Sequence, residues 1–302
     1  MIVLLLSGRA WAREPVPVVD LWIGGDVHLG AGGKGVLAPL AGRLGVNGIV
    51  NLEGPIGDGP PFVKSEREGK KHIALGNAPR AIVELRAAGV RVAGVANNHA
   101  SDGDPQRTSS ELTRAGVAPA GLDAGPAAML VDGARVIVTA HDLERGVPAT
   151  LGRELAEARQ RGDILVATFH VTAPPSYVPT DDLERAVAIA VAAGATIVVA
   201  HGTHTLAPLE RRGATVIAWG LGNLAFACDC TDEKDAIVLR VRLARPSATS
   251  PFVVTRACAL PIDAGLHGEP ARPSSDARGI ADLLHAIGSP VLVREGDEVC
   301  LP

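Results

Sequence analysis

The feature that most limits how this chain can fold is a series of short apolar, β-branched runs recurring along its length. They are Val18 to Ile23, Gly48 to Asn51, Val90 to Val95, Ala134 to Ala140, Ile164 to Phe169, Thr196 to Ala200 and Thr215 to Trp219. Such runs read as strands buried on both faces. Helical patterns lie between several of them. One covers Pro79 to Ala88 and stops at Gly89, one opens at the capping box Thr108-Ser109-Ser110-Glu111 and stops at Gly116, and one covers Asp181 to Ala193 and stops at Gly194. Strand and helix in alternation predict an α/β fold with helices packed on sheet faces. Ala236 to Leu243 and Pro251 to Leu260 then succeed each other with no helix between, which adds antiparallel pairing and makes the sheet mixed, or splits it into two stacked sheets. A Gly-, Pro- and Ser-rich stretch from Asp263 to Ser275 and a short helix near Ile280 to Ile287 close the chain. No internal repeat is visible, so a single domain over residues 1–302 is expected.

Composition narrows the partners. The net charge is -4 with both signs mixed along the chain, which provides no basic face for a phosphate backbone and excludes nucleic acid as the expected partner. The four cysteines, Cys228, Cys230, Cys258 and Cys300, match neither a disulfide framework nor a zinc knuckle and read as reduced thiols. The apolar start Met1 to Leu6, with Ala10-Trp11-Ala12 beyond it, is too short for an export signal and has no basic residue before it. No run reaches the roughly 18 apolar residues that a spanning helix needs. A cytoplasmic protein with no membrane partner is the expectation.

The chemistry lies in the residues just past the strand ends. Asp26 and His28 come after the first strand, Glu53 after the second, Asn97-Asn98-His99 after the third, His141-Asp142 after the fourth, His170 after the fifth, and His201 with His204 after the sixth. Ligands of open α/β sheets bind at the carboxyl ends of strands, and six of the nine histidines fall there. Imidazole, carboxylate and amide oxygen together suit a borderline or hard divalent ion, and leave Mn, Zn, Fe, Mg and Ca open. His72, among Lys64, Arg67, Lys70 and Lys71, reads as part of a charged loop, and His267 and His285 as surface residues.

Six blocks now carry a resemblance: Gly25-Asp26-x-His28, Asn51-Leu52-Glu53-Gly54, Ala96-Asn97-Asn98-His99-Ala100-x-Asp102, His170, His201-x-x-His204 and Leu221-Gly222-Asn223. In this order, across residues 20–227, they resemble the CapA-type poly-γ-glutamate capsule-synthesis family, itself similar to calcineurin-like metallophosphatases. The resemblance implies a sandwich of two mixed β-sheets flanked by helices, with a metal site at one edge. It implies one metal position formed by Asp26, His28, Glu53 and His204, and part of a second formed by Glu53, Asn98 and His170. His99 would move protons beside the ion, oriented by Asp102, since a carboxylate behind an imidazole fixes its tautomer. The chain departs from the family at Ala200-His201-Gly202-Thr203-His204, where glycine replaces an imidazole and His201 is the substitute. One divalent ion, with Ca, Mn and Zn undistinguished, is therefore expected.

The sequence also looks like the CapA-like peptide epimerases of lasso-peptide pathways. That likeness implies a peptide substrate and acid/base transfer at an α-carbon, with His99 and Asp102 as one pair and His170 or His28 as the other group. The alternatives are a metal-dependent phosphoesterase and a non-catalytic protein of polymer synthesis or assembly. The sequence leaves the oligomeric state open.

Overall fold

A computed structural model describes residues 17–302 except 68–69 and 248, so the apolar start and Ala10-Trp11-Ala12 lie outside the described residues. In chain order the elements are β1 (Val18–His28), α1 (Ala38–Leu44), β2 (Gly48–Leu52), β3 (Phe62–Arg67), β4 (Lys70–Leu75), α2 (Ala81–Ala87), β5 (Val90–Gly94), α3 (Pro105–Arg114), β6 (Ala118–Ala120), β7 (Ala127–Val131), β8 (Ala134–Asp142), α4 (Leu151–Gln160), β9 (Ile164–His170) and α5 (Asp181–Ala192). They continue with β10 (Ile197–His201), β11 (Leu209–Arg212), β12 (Thr215–Ala218), β13 (Asn223–Phe226), β14 (Asp235–Ala244), β15 (Val253–Asp263), β16 (Gly265–Leu266), β17 (Arg272–Pro273), α6 (Ala277–Ala286), β18 (Val293–Glu295) and β19 (Glu298–Cys300).

Two mixed sheets result. One runs β18-β19-β15-β14-β1-β2-β5-β6, with β13, β16 and β17 attached, and the other runs β11-β12-β10-β9-β8-β7. The long antiparallel pairing of β14 with β15 is the one expected from their adjacency in sequence.

Alternation along each strand explains why the apolar runs are continuous. On β1, Val19, Leu21 and Ile23 enter the core between the sheets, while Trp22 turns to the opposite face. On β9, Ile164 and Val166 join the same central core, while Leu165, Ala167 and Phe169 pack outward. The outer face of the first sheet is covered by Leu40, Leu85 and Leu112 of α1, α2 and α3, and that of the second by Leu155 and Val187 of α4 and α5. Both faces of the central strands are thus dry, as period-two side-chain alternation requires of a four-layer sandwich.

Local details differ from the sequence reading in several places. Helix α3 begins at Pro105, not at the Thr108 capping box, because Asp104 is the N-cap: its side chain accepts from Arg107 N at 2.9 Å, with Pro105 in the first turn. Thr108 instead ties the helix to the loop after β2, accepting from Ile56 N at 2.9 Å. His72 lies on β4, in a hairpin with β3, and not in a loop. The cysteines are not free thiols: Cys228 is bonded to Cys230, and Cys258 to Cys300 on the strand that lies beside it. Among the described residues no helix is long and apolar enough to cross a membrane.

Candidate metal centre

β1, β2 and β5 run parallel in one sheet, and β8, β9 and β10 in the other. Their carboxyl ends meet at one rim of the sandwich. There the register sets Asp26 beside both Asn51 and Asn223, and His170 beside both Asp142 and His201. The close approach of β1 to the Gly222 turn needs Gly25, where a Cβ would come within 1.9 Å of the Gly222 carbonyl oxygen. Asp26 N donates to that carbonyl at 3.2 Å, which fixes where the carboxylate begins.

Three ligand-type atoms, one each from Asp26, Glu53 and His204, lie within 4.8 Å of one another. The buried Asp26 carboxylate accepts from Asn51 Nδ2 at 2.8 Å and from Gly202 N at 3.0 Å. His204 Nδ1 stands 3.2 Å from Asp26 Oδ2 and 2.9 Å from Asn223 Oδ1, and its ring packs edge-on against Phe226. His201 is buried, with Nδ1 3.6 Å from Asp26 Oδ1 and no hydrogen-bond partner at either nitrogen. His170 Nε2 is 3.3 Å from Glu53 Oε1, and its Nδ1 is 3.7 Å from Asp142 Oδ1. His28 holds Nε2 against the Pro61 and Gly76 carbonyls at 2.8 and 3.0 Å. Since Nε2–H donates there, the neutral ring carries its free lone pair on Nδ1, which is buried and unpartnered.

His99 completes the ring of side chains from the other side. Its Nδ1 pairs with Asp102 Oδ2 at 2.7 Å, while Nε2 faces Glu53 Oε2 at 3.9 Å. Asp102 Oδ2 also accepts from Leu75 N at 2.7 Å, so the end of the β3–β4 hairpin holds the dyad in place. Asn98 is half-buried next to it. The neighbouring Asn97 reaches inward, donating to Leu52 O at 2.8 Å and to Asn51 Oδ1 at 3.2 Å.

Electrostatics divides the histidines into two kinds. Burial pulls the His170 pKa down, but Asp142, Glu53 and Asp26 outweigh it and push it up to about 10. Burial likewise opposes protonation of His204, yet Glu53, Asp26 and Asn223 raise it to about 9. In His201 burial prevails over the attraction of Asp26 and brings the pKa down to about 4. His28 is lowered by burial, against its backbone partners and Glu53. Asp26 is held well below the ordinary carboxylate range: burial works against this, but the hydrogen bond to His204 and the charges of His204, His201 and His170 win.

These residues fit a divalent cation. Five of the eight unpartnered buried side-chain atoms among the described residues gather here, namely Glu53 Oε2, His28 Nδ1, His170 Nδ1 and both nitrogens of His201, whereas buried polar atoms ordinarily have partners. The proton on His204 sits beside the carboxylates of Asp26 and Glu53, where a bound cation would take over its charge. Asp26, Glu53 and His204 would hold the ion, with His28, His170 and His201 next in reach. At position 202 no side chain fits. The backbone there has φ +98°, and a Cβ would come 2.3 Å from Val171 O and 2.6 Å from His170 Nε2.

Sequence reasoning gave no role to Asn51 or Asn77. Asn77 ties the site's loops together, accepting from Leu29 N and Gly30 N and donating to the Glu53 and Gly54 carbonyls. Asn51 stands in the Asn51-Leu52-Glu53-Gly54 block and was detectable there. Asn77 has no comparable signal in the sequence.

A sandwich of two mixed sheets with this cluster at its rim defines a protein of the calcineurin-like metallophosphatase fold. The profile of the family described as "Bacterial capsule synthesis protein PGA_cap" matches residues 46–228, and the chain belongs to that family. It is similar to PGA biosynthesis protein CapA of Bacillus subtilis (strain 168), with 25% identity over 231 residues, covering 68% of this chain and 59% of that protein. The chain thus spans less than two thirds of that relative's length. A crystal structure of a hypothetical protein from Thermus thermophilus matches with a TM-score of 0.50 and 14% identity, covering 78% of this chain and 97% of the other, a likeness of fold alone.

Proposed function

We propose that this chain is a metal-dependent epimerase that moves a proton at an amino-acid α-carbon of a ribosomally made, lasso-type precursor peptide. The observation that carries the reading is that two imidazoles, His99 and His170, approach the two oxygens of one carboxylate, Glu53. Inverting an α-carbon takes a proton acceptor and a proton donor within reach of the same centre. His99 has the geometry of the acceptor: its Nδ1 is paired with Asp102, and its Nε2 is directed at the centre. His170 has the form of the donor, an imidazolium between Glu53 and Asp142. A bound divalent cation supplies positive charge for the oxygen of a carbonyl whose neighbouring carbon loses its proton. Asn51 and Gly202 N hold Asp26 in one orientation, and burial of the cluster keeps bulk water from competing for the proton.

The test is deuterium uptake from heavy water into precursor peptides, read as mass gain and by chiral amino-acid analysis. The wild-type protein loaded with Mn should label one α-carbon and invert it. His99→Ala should abolish uptake, and labelling at the native rate in that variant sinks the assignment. Family membership favours a second reading, metal-dependent phosphoester hydrolysis. It predicts Mn-dependent release of phosphate from a generic aryl phosphate. The lack of room for a side chain at Gly202 counts against its two-ion form, which needs ligands for both ions.

A further inference from the structure

Next to the candidate centre is a cavity of about 510 Å³, a volume typical of small-ligand sites. It opens where β8 outruns its neighbour: β7 pairs with β8 only as far as Val138, and Thr139 to Asp142 continue with β9 on one side. Alternation along β8 sends Thr139 and His141 toward α4, and Ala140 and Asp142 toward the other sheet. All four line the cavity, together with Glu154, Glu157 and Arg161 at α4. Leu122, Pro126 and Ala158 provide apolar wall.

Two independent observations point to an occupant. Thr139 is only 3% exposed, yet its hydroxyl has no hydrogen-bond partner, and Nε2 of His141 is also buried and unpartnered. A buried hydroxyl ordinarily finds a partner, so this one is free to accept from a donor that enters the cavity. The charge is also unbalanced at Glu154: Asp142 faces the His170 ring at 3.7 Å and Glu157 pairs with Arg153 at 3.5 Å, whereas Glu154 has only His141 Nδ1, at 3.9 Å. Asp142 is at the same time 3.7 Å from His170 Nδ1, so the cavity shares a wall with the candidate centre.

We propose that this cavity binds a primary ammonium group on an apolar stem, the side chain of a lysine-type residue carried by the substrate close to its reacting carbon. The stem lies along Leu122, Pro126 and Ala158, and the ammonium group donates to Glu154 and to the Thr139 hydroxyl. The inference rests on the peptide reading only for the identity of the molecule carrying the ammonium group. Binding of the isolated side chain does not depend on it.

The experiment is titration of the protein with Nα-acetyl-lysine methylamide, its norleucine analogue and its glutamate analogue, monitored by amide chemical shifts. The lysine compound should saturate, and the other two should bind at least about tenfold more weakly. Glu154→Gln should cost the lysine compound about tenfold in affinity, and Thr139→Val about threefold. Thr139→Val should leave Tm at or above the wild-type value, because the hydroxyl has no partner to lose. His99→Ala should bind the lysine compound like the wild type, so a failed exchange assay and a failed pocket are separable results. Equal affinity for the lysine and norleucine compounds, indifference to Glu154→Gln, or no saturable binding of the lysine compound would each overturn the proposal.

Discussion

Loading the centre with manganese should release one proton and should strengthen steeply with pH. In the metal-free protein burial disfavours protonation of His204, but Glu53, Asp26 and Asn223 raise its pKa to about 9. A ligating imidazole must be neutral, so the ion competes with that proton. At pH 7, about two units below the pKa, roughly one molecule in a hundred has His204 ready to bind, a handicap of ~2.7 kcal/mol. The sign is then fixed: the handicap grows about tenfold for each unit of pH below roughly 8.5 and vanishes above about 9. His201, brought down to about 4, is already neutral in that window and contributes nothing to the slope. Titration calorimetry of Mn²⁺ in buffers of different ionisation enthalpy gives both the Kd and the proton count. A count near one fits displacement of the His204 proton alone, and a count near two enlists His170 as well. A Kd that does not change with pH, with no proton released, would refute the claim that a protonated imidazole has to yield to the ion.

The geometry sets three further outcomes. Gly202→Ala combines a left-handed φ with contacts at 2.3 and 2.6 Å, and should cost ~2 kcal/mol or more in urea unfolding; a variant as stable as the wild type would contradict the close packing against Val171 and His170. Asn51→Leu removes the 2.8 Å donor to Asp26, and should weaken Mn²⁺ binding about 10–100-fold in the same calorimetric titration. Asp102→Asn should lower the exchange rate by roughly 100-fold or more while leaving Mn²⁺ affinity nearly unchanged, because Asp102 orients His99 and does not face the carboxylate cluster; loss of metal binding in that variant would show that its role is structural.

The layered architecture was legible because strands covered on both faces leave a continuous apolar record, as in Ile164 to Phe169, and because a short polar segment comes after each of them. The same placement singles out Asp26, Glu53, His99, His170, His201 and His204 from sequence alone. Other features leave no such record. The β3–β4 hairpin exposes Val63, Lys64, Ser65 and Glu66 and packs only Phe62, Ile73 and Leu75 inward, too short an apolar record to mark it as sheet. Yet the ends of this hairpin hold two site residues, through the Pro61 and Gly76 carbonyls on His28 and the Leu75 amide on Asp102. Asn77 likewise acts through backbone groups of distant loops, a role that depends on three-dimensional proximity and not on its neighbours in sequence. The pairing of Cys258 with Cys300 comes from β15 and β19 lying side by side, which spacing alone does not announce. In α3 the capping box was present, but Asp104-Pro105 a turn earlier supplies a stronger start, because proline presets the first helical φ and needs no hydrogen bond from its nitrogen.

The central claim is that side chains from the ends of β1, β2 and β10 converge to hold one cation. Anomalous diffraction at the manganese edge, from crystals grown with Mn²⁺, tests it directly. The account predicts a single strong peak in bonding contact with Asp26, Glu53 and His204, absent from crystals of Asp26→Asn. A peak elsewhere on the molecule, or no ordered manganese at this rim in the native protein, would contradict it.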